Sequence, residues 1–279
     1  MSNGHLETII DVIEPSSRGI INIRELWRHR ELFYFFTWRD IKIKYKQTVL
    51  GFLWAVLQPL LLMLIFSLFF GRVLNGDTRG LDYPVYVFSG LLIWNIFSLG
   101  LMGASNSMVN NATIIKKIYF PRLVIPVSSV LVSLFDFLIA FVLFVPILVY
   151  YRQSVSWMAL WAWPAATLIV ALGTLGVGCW LGALNVKYRD FRYVIPFLIQ
   201  VLFFASPVIY PVTLIQYPWL RFVVASSPVY AAIELFRMPL TGTPPDPVFM
   251  SIGLGSCLVL LVIGLGYFRS TQRFFADFV

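Results

Sequence analysis

Four cations crowd one short stretch of the chain, WRDIKIKYKQ: Arg39, Lys42, Lys44 and Lys46. Guanidinium and ammonium groups are natural partners of phosphate oxygens, Arg as a planar fork and Lys as a point charge, so the stretch is a candidate seat for a diphosphate head group arriving from the cytoplasmic leaflet. The same charges also suit anionic lipid, which attracts each of them at about 1 kcal/mol near a membrane surface. The second candidate is Asp136, the one charge expected deep within an apolar run. It reads either as a proton-carrying group or as a carboxyl packed inward and hydrogen-bonded to neighbouring helices, at a cost of roughly 2.5–3.5 kcal/mol on insertion scales.

Several chemistries are excluded by inventory. His5 and His29 are the two histidines and neither lies in an apolar run, which leaves no intramembrane Ser–His or HExxH protease. Asp136 has no second carboxylate beside it in the membrane, as an aspartic protease would need. The chain contains no GxxxxGK[ST] loop, so if transport here is driven by ATP the motor is another polypeptide. Cys179 and Cys257 both sit in apolar runs and read as small buried hydrophobes, with no disulfide framework and no metal site. No nucleic-acid partner is expected.

The elements that position these residues follow from composition. With 59% hydrophobic and 12% charged residues, against a soluble average of about 25% charged, the 279-residue chain is an all-α integral membrane protein. Its uncharged runs predict six spans, at about 49–70, 84–108, 123–150, 158–186, 193–210 and 248–268, within a membrane domain over 49–268. The first run alone, 22 residues as a helix, reaches about 33 Å, enough to cross a hydrocarbon core of roughly 30 Å. Residues 1–48 form a polar N-terminal segment without a signal-peptide core, and 269–279 a tail. Between Arg24 and Gln47, Trp27, Tyr34, Trp38, Ile41 and Tyr45 recur at helical spacing, with Arg28, Glu31, Arg39, Lys42 and Lys46 opposite, which describes an amphipathic interfacial helix over about 24–47. The apolar stretch 222–233 is too short to span and is broken by Pro228, so it predicts a re-entrant hairpin between spans five and six. Gly173, Gly176, Gly178 and Gly182 in span four predict close approach of another helix. Lys and Arg divide 16 to 5 between the two sides when the N-terminus is placed inside, which predicts both termini in the cytoplasm.

Aromatic residues make up 17% of the chain, more than two interfacial belts require. Trp157, Trp161 and Trp163 read as belt residues. Trp54, Phe66 and Phe70 in span one, with Phe203, Phe204 and Tyr210 in span five, either face lipid or line a pathway, where aromatic faces would suit the apolar C–H faces of sugar rings.

Four segments, WRDIKIKYKQTVLGFLWAVLQPL, IIKKIYFPR followed by LVIPVS, KYRDFRYVIPFLIQVLFFASPVIYP, and SSPVYAAIELFRMPL, together resemble permease subunits of type-2 ABC exporters, and more narrowly those that export O-antigen, capsule or wall teichoic acid. The resemblance covers roughly residues 24–269. It implies a homodimer with the pathway between subunits, a bacterial cytoplasmic (inner) membrane location, and two copies of a separate ATPase that binds ATP and Mg. The implied substrate is a polyprenyl-diphosphate-linked glycan. It also implies that the helix ending near Lys46 is a cytoplasmic gate. Residues 110–122, with Ile114, Ile115, Lys116, Lys117, Ile118, Tyr119 and Phe120 as its contacts, would be the coupling helix on the ATPase. Exporters of a drug or lipid, an ion-coupled carrier using Asp136, and a non-transporting scaffold are the competing readings.

Overall fold

The structure, a computed structural model, describes residues 23–46, 51–74, 78–118 and 120–272. Outside them lie residues 1–22, residues 47–50 where the first span was expected to begin, residues 75–77, Tyr119 of the expected coupling segment, and residues 273–279. In chain order the helices are α1 (Ile23–Arg28), α2 (Arg30–Lys46), α3 (Gly51–Leu74), α4 (Tyr83–Asn110), α5 (Ala112–Lys117), α6 (Val124–Tyr150), α7 (Ala159–Lys187), α8 (Phe191–Ala205), α9 (Pro218–Ala225), α10 (Pro228–Thr241) and α11 (Pro247–Thr271). No strand occurs among the described residues.

Five of these helices, α3, α4, α6, α7 and α11, are long and apolar enough to cross a membrane. The fifth expected span, 193–210, takes the form of the shorter α8. At 15 residues α8 reaches about 22 Å. It stops because Ser206 precedes Pro207, whose ring pushes Ser206 into extended backbone at φ −99°, ψ 148°. The hairpin is α9 and α10, apolar together but bent by 89° at Ser226–Ser227. Ser227 caps α10 by accepting from the Val229 amide, Pro228 sits in its first turn, and Gly242 closes it in the left-handed conformation at φ 67°.

Burial is uneven among the long helices. Inside the protein, 78% of the apolar window of α4 is covered but only 11% of that of α3. α4 is the central post: α6 and α7 pack along it, and its residues Phe88, Leu91, Leu92 and Ile96 have no appreciable exposure. The expected close approach at α7 is present on three sides. Gly173 admits Pro228 of α10, Gly178 and Gly182 admit Ala104 of α4, and Gly176 lies against Leu261 and Gly264 of α11. A β-carbon on Gly264 would stand 1.9 Å from the Gly176 carbonyl oxygen, so that contact is backbone on backbone. Cys179 and Cys257 are buried free thiols.

Trp163 departs from the expected belt role. Trp157 and Trp161 are exposed, but Trp163 stacks on Phe236 at 5.5 Å between ring centres and donates its indole N–H to the Phe236 carbonyl at 3.0 Å. With Phe88, Phe141 and Phe144 it forms an aromatic core joining α4, α6, α7 and α10. One turn separates a belt position from this core, and only the position of α10 decides between them.

Candidate functional site

α2 is held lengthwise against α6. The Phe36 and Phe120 rings meet at 5.5 Å where α6 begins, and Tyr45 meets Phe135 at 6.0 Å further along. Asp136 lies 12 residues into α6, about 18 Å from its first turn, and α2 reaches it. The Lys44 ammonium donates to Asp136 Oδ2 at 2.5 Å and the Tyr45 hydroxyl donates to Oδ1. Burial, and then the bond to Asp136, pushes the Tyr45 phenol well above its ordinary range, so it remains a donor at neutral pH. Asp136 is 5% exposed at the side chain and Lys44 42%.

The expected apolar stripe divides. Trp27 of α1 and Tyr34 and Trp38 of α2 are turned outward, at 71%, 70% and 44% exposed, while Tyr45 faces α6 and Phe36, off the stripe, is buried. Arg39 and Lys44 point toward α6 and the α4–α5 corner instead, Arg39 donating to Asn111 Oδ1 at 2.8 Å and to its neighbour Asp40. Two buried polar groups of the bundle, Asn111 and Asp136, face α2 and accept from its cations, and the aromatic rings are left to a surface that suits them. Of the four candidate head-group residues, Arg39 and Lys44 are thus engaged within the chain. Lys42 rests over the Trp38 ring at 5.4 Å and Lys46 is exposed.

The expected aromatic pathway set divides. Phe66 packs on Phe70 at 6.2 Å and on Phe203 at 5.9 Å, and Phe203 on Phe204 at 5.4 Å and on Trp94 at 5.3 Å. The Tyr210 hydroxyl donates to the Phe204 carbonyl at 2.9 Å. Five of the six residues therefore gather where α3 meets α8, with Phe70 and Phe204 exposed on its open side. Trp54 stands apart, 12 residues before Phe66 and about 18 Å away along α3.

The expected coupling segment is a short helix followed by an extended connection. Ile115 and Phe120 anchor it, buried against Phe36, Val124 and Phe268, while Lys116, Lys117 and Ile118 are presented outward. Lys116, Lys117 and Arg122 surround a recess of about 190 Å³ floored by Ile115 and Phe120.

A second charged cluster was not anticipated. Glu234, which the sequence suggests bounds a short apolar stretch, and Arg237, which it suggests lies outside the membrane, are 5% and 3% exposed. Arg237 donates to the carbonyls of Pro207, Val208 and Tyr86 at 2.9–3.0 Å and to Ser89 Oγ at 3.2 Å, with its guanidinium 3.5 Å above the Tyr86 ring. Non-helical backbone at membrane depth survives only where protein satisfies it, and Arg237 does so for the segment after α8. Glu234 binds Arg79 at 2.8 Å. Burial alone would lower the Arg79 pKa, but the attraction of Glu234 outweighs it and raises it. Arg79 has φ 53° in the turn before α4, a strained conformation that the ion pair helps to hold.

A family model described as ABC-2 type transporter matches residues 31–240. The chain is 33% identical over 194 residues to the O-antigen export system permease protein RfbA of Myxococcus xanthus, covering 70% of this chain and 74% of that protein. It is 28% identical over 249 residues to RfbA of Klebsiella pneumoniae, covering 88% and 94%. To the polysialic acid transport protein KpsM of Escherichia coli it is 23% identical over 244 residues, covering 84% and 91%. A multi-pass helical bundle with this match over three quarters of its length belongs to the ABC-2 type transporter family.

Proposed function

We infer that the chain is the permease subunit of a polysaccharide ABC exporter, and that it moves a polyprenyl-diphosphate-linked glycan across the bacterial cytoplasmic membrane. The observation that carries this reading is near full-length similarity to permeases whose names specify O-antigen export, within the ABC-2 family. Hydrolysis would come from a separate ATPase in two copies, since the sequence has no P-loop, and ATP and Mg would bind there. The Lys and Arg distribution supports both termini in the cytoplasm. The sixth crossing is assigned to α8 with the extended backbone that follows it.

Two faces are assigned on this basis. The thinly covered face of α3, next to α8 and its aromatic cluster, meets a second copy of the chain and borders the glycan path, where ring faces suit sugar C–H surfaces. Lys116, Lys117 and Ile118, displayed by a short helix with buried anchors, contact the ATPase. Reconstitution with the partner ATPase tests the whole reading: a polyprenyl-diphosphate glycan should stimulate hydrolysis and reach the far side. Charge reversal at Lys116 and Lys117 should reduce ATPase co-purification severalfold, and an unchanged yield would remove the coupling assignment.

A further inference from the structure

The Lys44–Tyr45–Asp136 arrangement is more than a packing contact. Two adjacent donors on α2 converge on the two separate oxygens of one carboxylate, which is how a phosphate presents its oxygens to a binding site. The two sides of the pair differ in access: Asp136 is almost wholly enclosed, and Lys44 is nearly half exposed. An anion approaching α2 therefore meets Lys44 before it meets Asp136. If helix packing were the only requirement, apolar residues would serve as well, because an ion pair taken out of water is often no more stabilising than hydrophobes of similar volume. The pair also sits near the end of α2 that leads toward α3, beside the Tyr45–Phe135 ring contact, and the other anchors of α2, Phe36 on Phe120 and Arg39 on Asn111, lie about two turns and about one and a half turns earlier.

Resting on the assignment of a diphosphate-linked substrate, we propose that Lys44 and Tyr45 form the anion seat for the lipid diphosphate and that Asp136 occupies this seat as an internal competitor when no substrate is bound. The incoming phosphate takes over both donors, Asp136 loses its partners, and the C-terminal end of α2 is released from α6 while its earlier anchors hold. Substrate arrival and movement of α2 are then one event. Asp136 is a positioning residue in this scheme. It sets how much substrate is needed to open the contact, since an occupied seat lowers apparent affinity by the fraction of time it is free.

The test uses the full complex with its ATPase in nanodiscs, measuring hydrolysis against increasing polyprenyl diphosphate, with inorganic diphosphate in a parallel series. Asp136→Asn, which keeps a hydrogen-bond acceptor and removes the competing charge, should lower the half-maximal concentration about tenfold and raise hydrolysis without substrate. Lys44→Gln should abolish stimulation while the complex still assembles. The double exchange Lys44→Asp with Asp136→Lys separates seat from strut: it restores an ion pair, so a strut predicts recovered stimulation, whereas the seat predicts an assembled complex that polyprenyl diphosphate does not stimulate. Stimulation by inorganic diphosphate at equal concentration would show that the seat reads phosphate without its lipid. Wild-type complex that responds to no polyprenyl-diphosphate species overturns the substrate assignment. A responsive wild type with an unshifted or weakened Asp136→Asn response, or a stimulated exchange variant, overturns the seat alone.

Discussion

Among its described residues the protein buries two groups of charges, and they are built on opposite terms. At Arg237 a cation is enclosed with every bond directed at fixed acceptors: three backbone carbonyls, a serine hydroxyl and the face of a tyrosine. At Asp136 an anion is enclosed, but its cationic partner is carried by a separate helix and stays within reach of water. The first arrangement cannot open without stranding carbonyl groups in an apolar interior, so it braces the α9–α10 hairpin against α4 and the segment after α8. The second can open at the cost of one exchange, because Lys44 finds water or another anion when it leaves. An enclosed charge with immobile partners acts as a fastener, and one with a half-exposed partner is poised to switch.

Substitutions should separate the two groups by stability. Arg237→Met should be the most damaging, losing about 3–5 kcal/mol by stranding three carbonyls and a serine hydroxyl in the interior, seen as loss of monodisperse protein in detergent and a collapsed Tm. Recovery of a normal Tm would mean that the carbonyls have other partners. Glu234→Gln should cost about 1–3 kcal/mol, less because Arg79 is a third exposed and can turn to solvent. Trp163→Phe, which removes one buried indole bond to Phe236, should lower stability by about 1–2 kcal/mol in the same melting measurement. Asp136→Asn should change the Tm least, by less than about 1 kcal/mol in stability, since the amide still accepts from Tyr45 and Lys44 reaches water. A loss at Asp136→Asn as large as that at Arg237→Met would erase the distinction.

The spans were legible because an uncharged run of 20 or more residues has few alternatives to a membrane helix. Their bounds at α4, α6 and α7 fall within one or two residues of the text. Asp136 was legible as a candidate for the same reason, a lone charge in an apolar run, and its neighbours in sequence say nothing of Lys44, 92 residues earlier. The periodicity of α2 identified its stripe but not which side faces in, because lipid accepts rings and the bundle interior asks for cations. Glu234 reads as the boundary of a 12-residue apolar stretch and Arg237 as one of the outside cations, since so short a stretch between charges looks like a re-entrant or interfacial hairpin. Their partners Arg79, Tyr86 and Ser89 lie about 150 residues away, beyond any local pattern.

The meeting of Gly176 and Gly264 has a consequence for how the bundle is completed. Most helix contacts freeze side-chain rotamers as they form, but two glycines have none to freeze, so at this crossing α11 meets α7 without that entropic loss. The contact is specified by shape alone. A lost methylene elsewhere in the core can be refilled by a neighbour, whereas an added carbon at this crossing has no vacant direction to take, and the last helix of the bundle would have to sit farther out along its whole length.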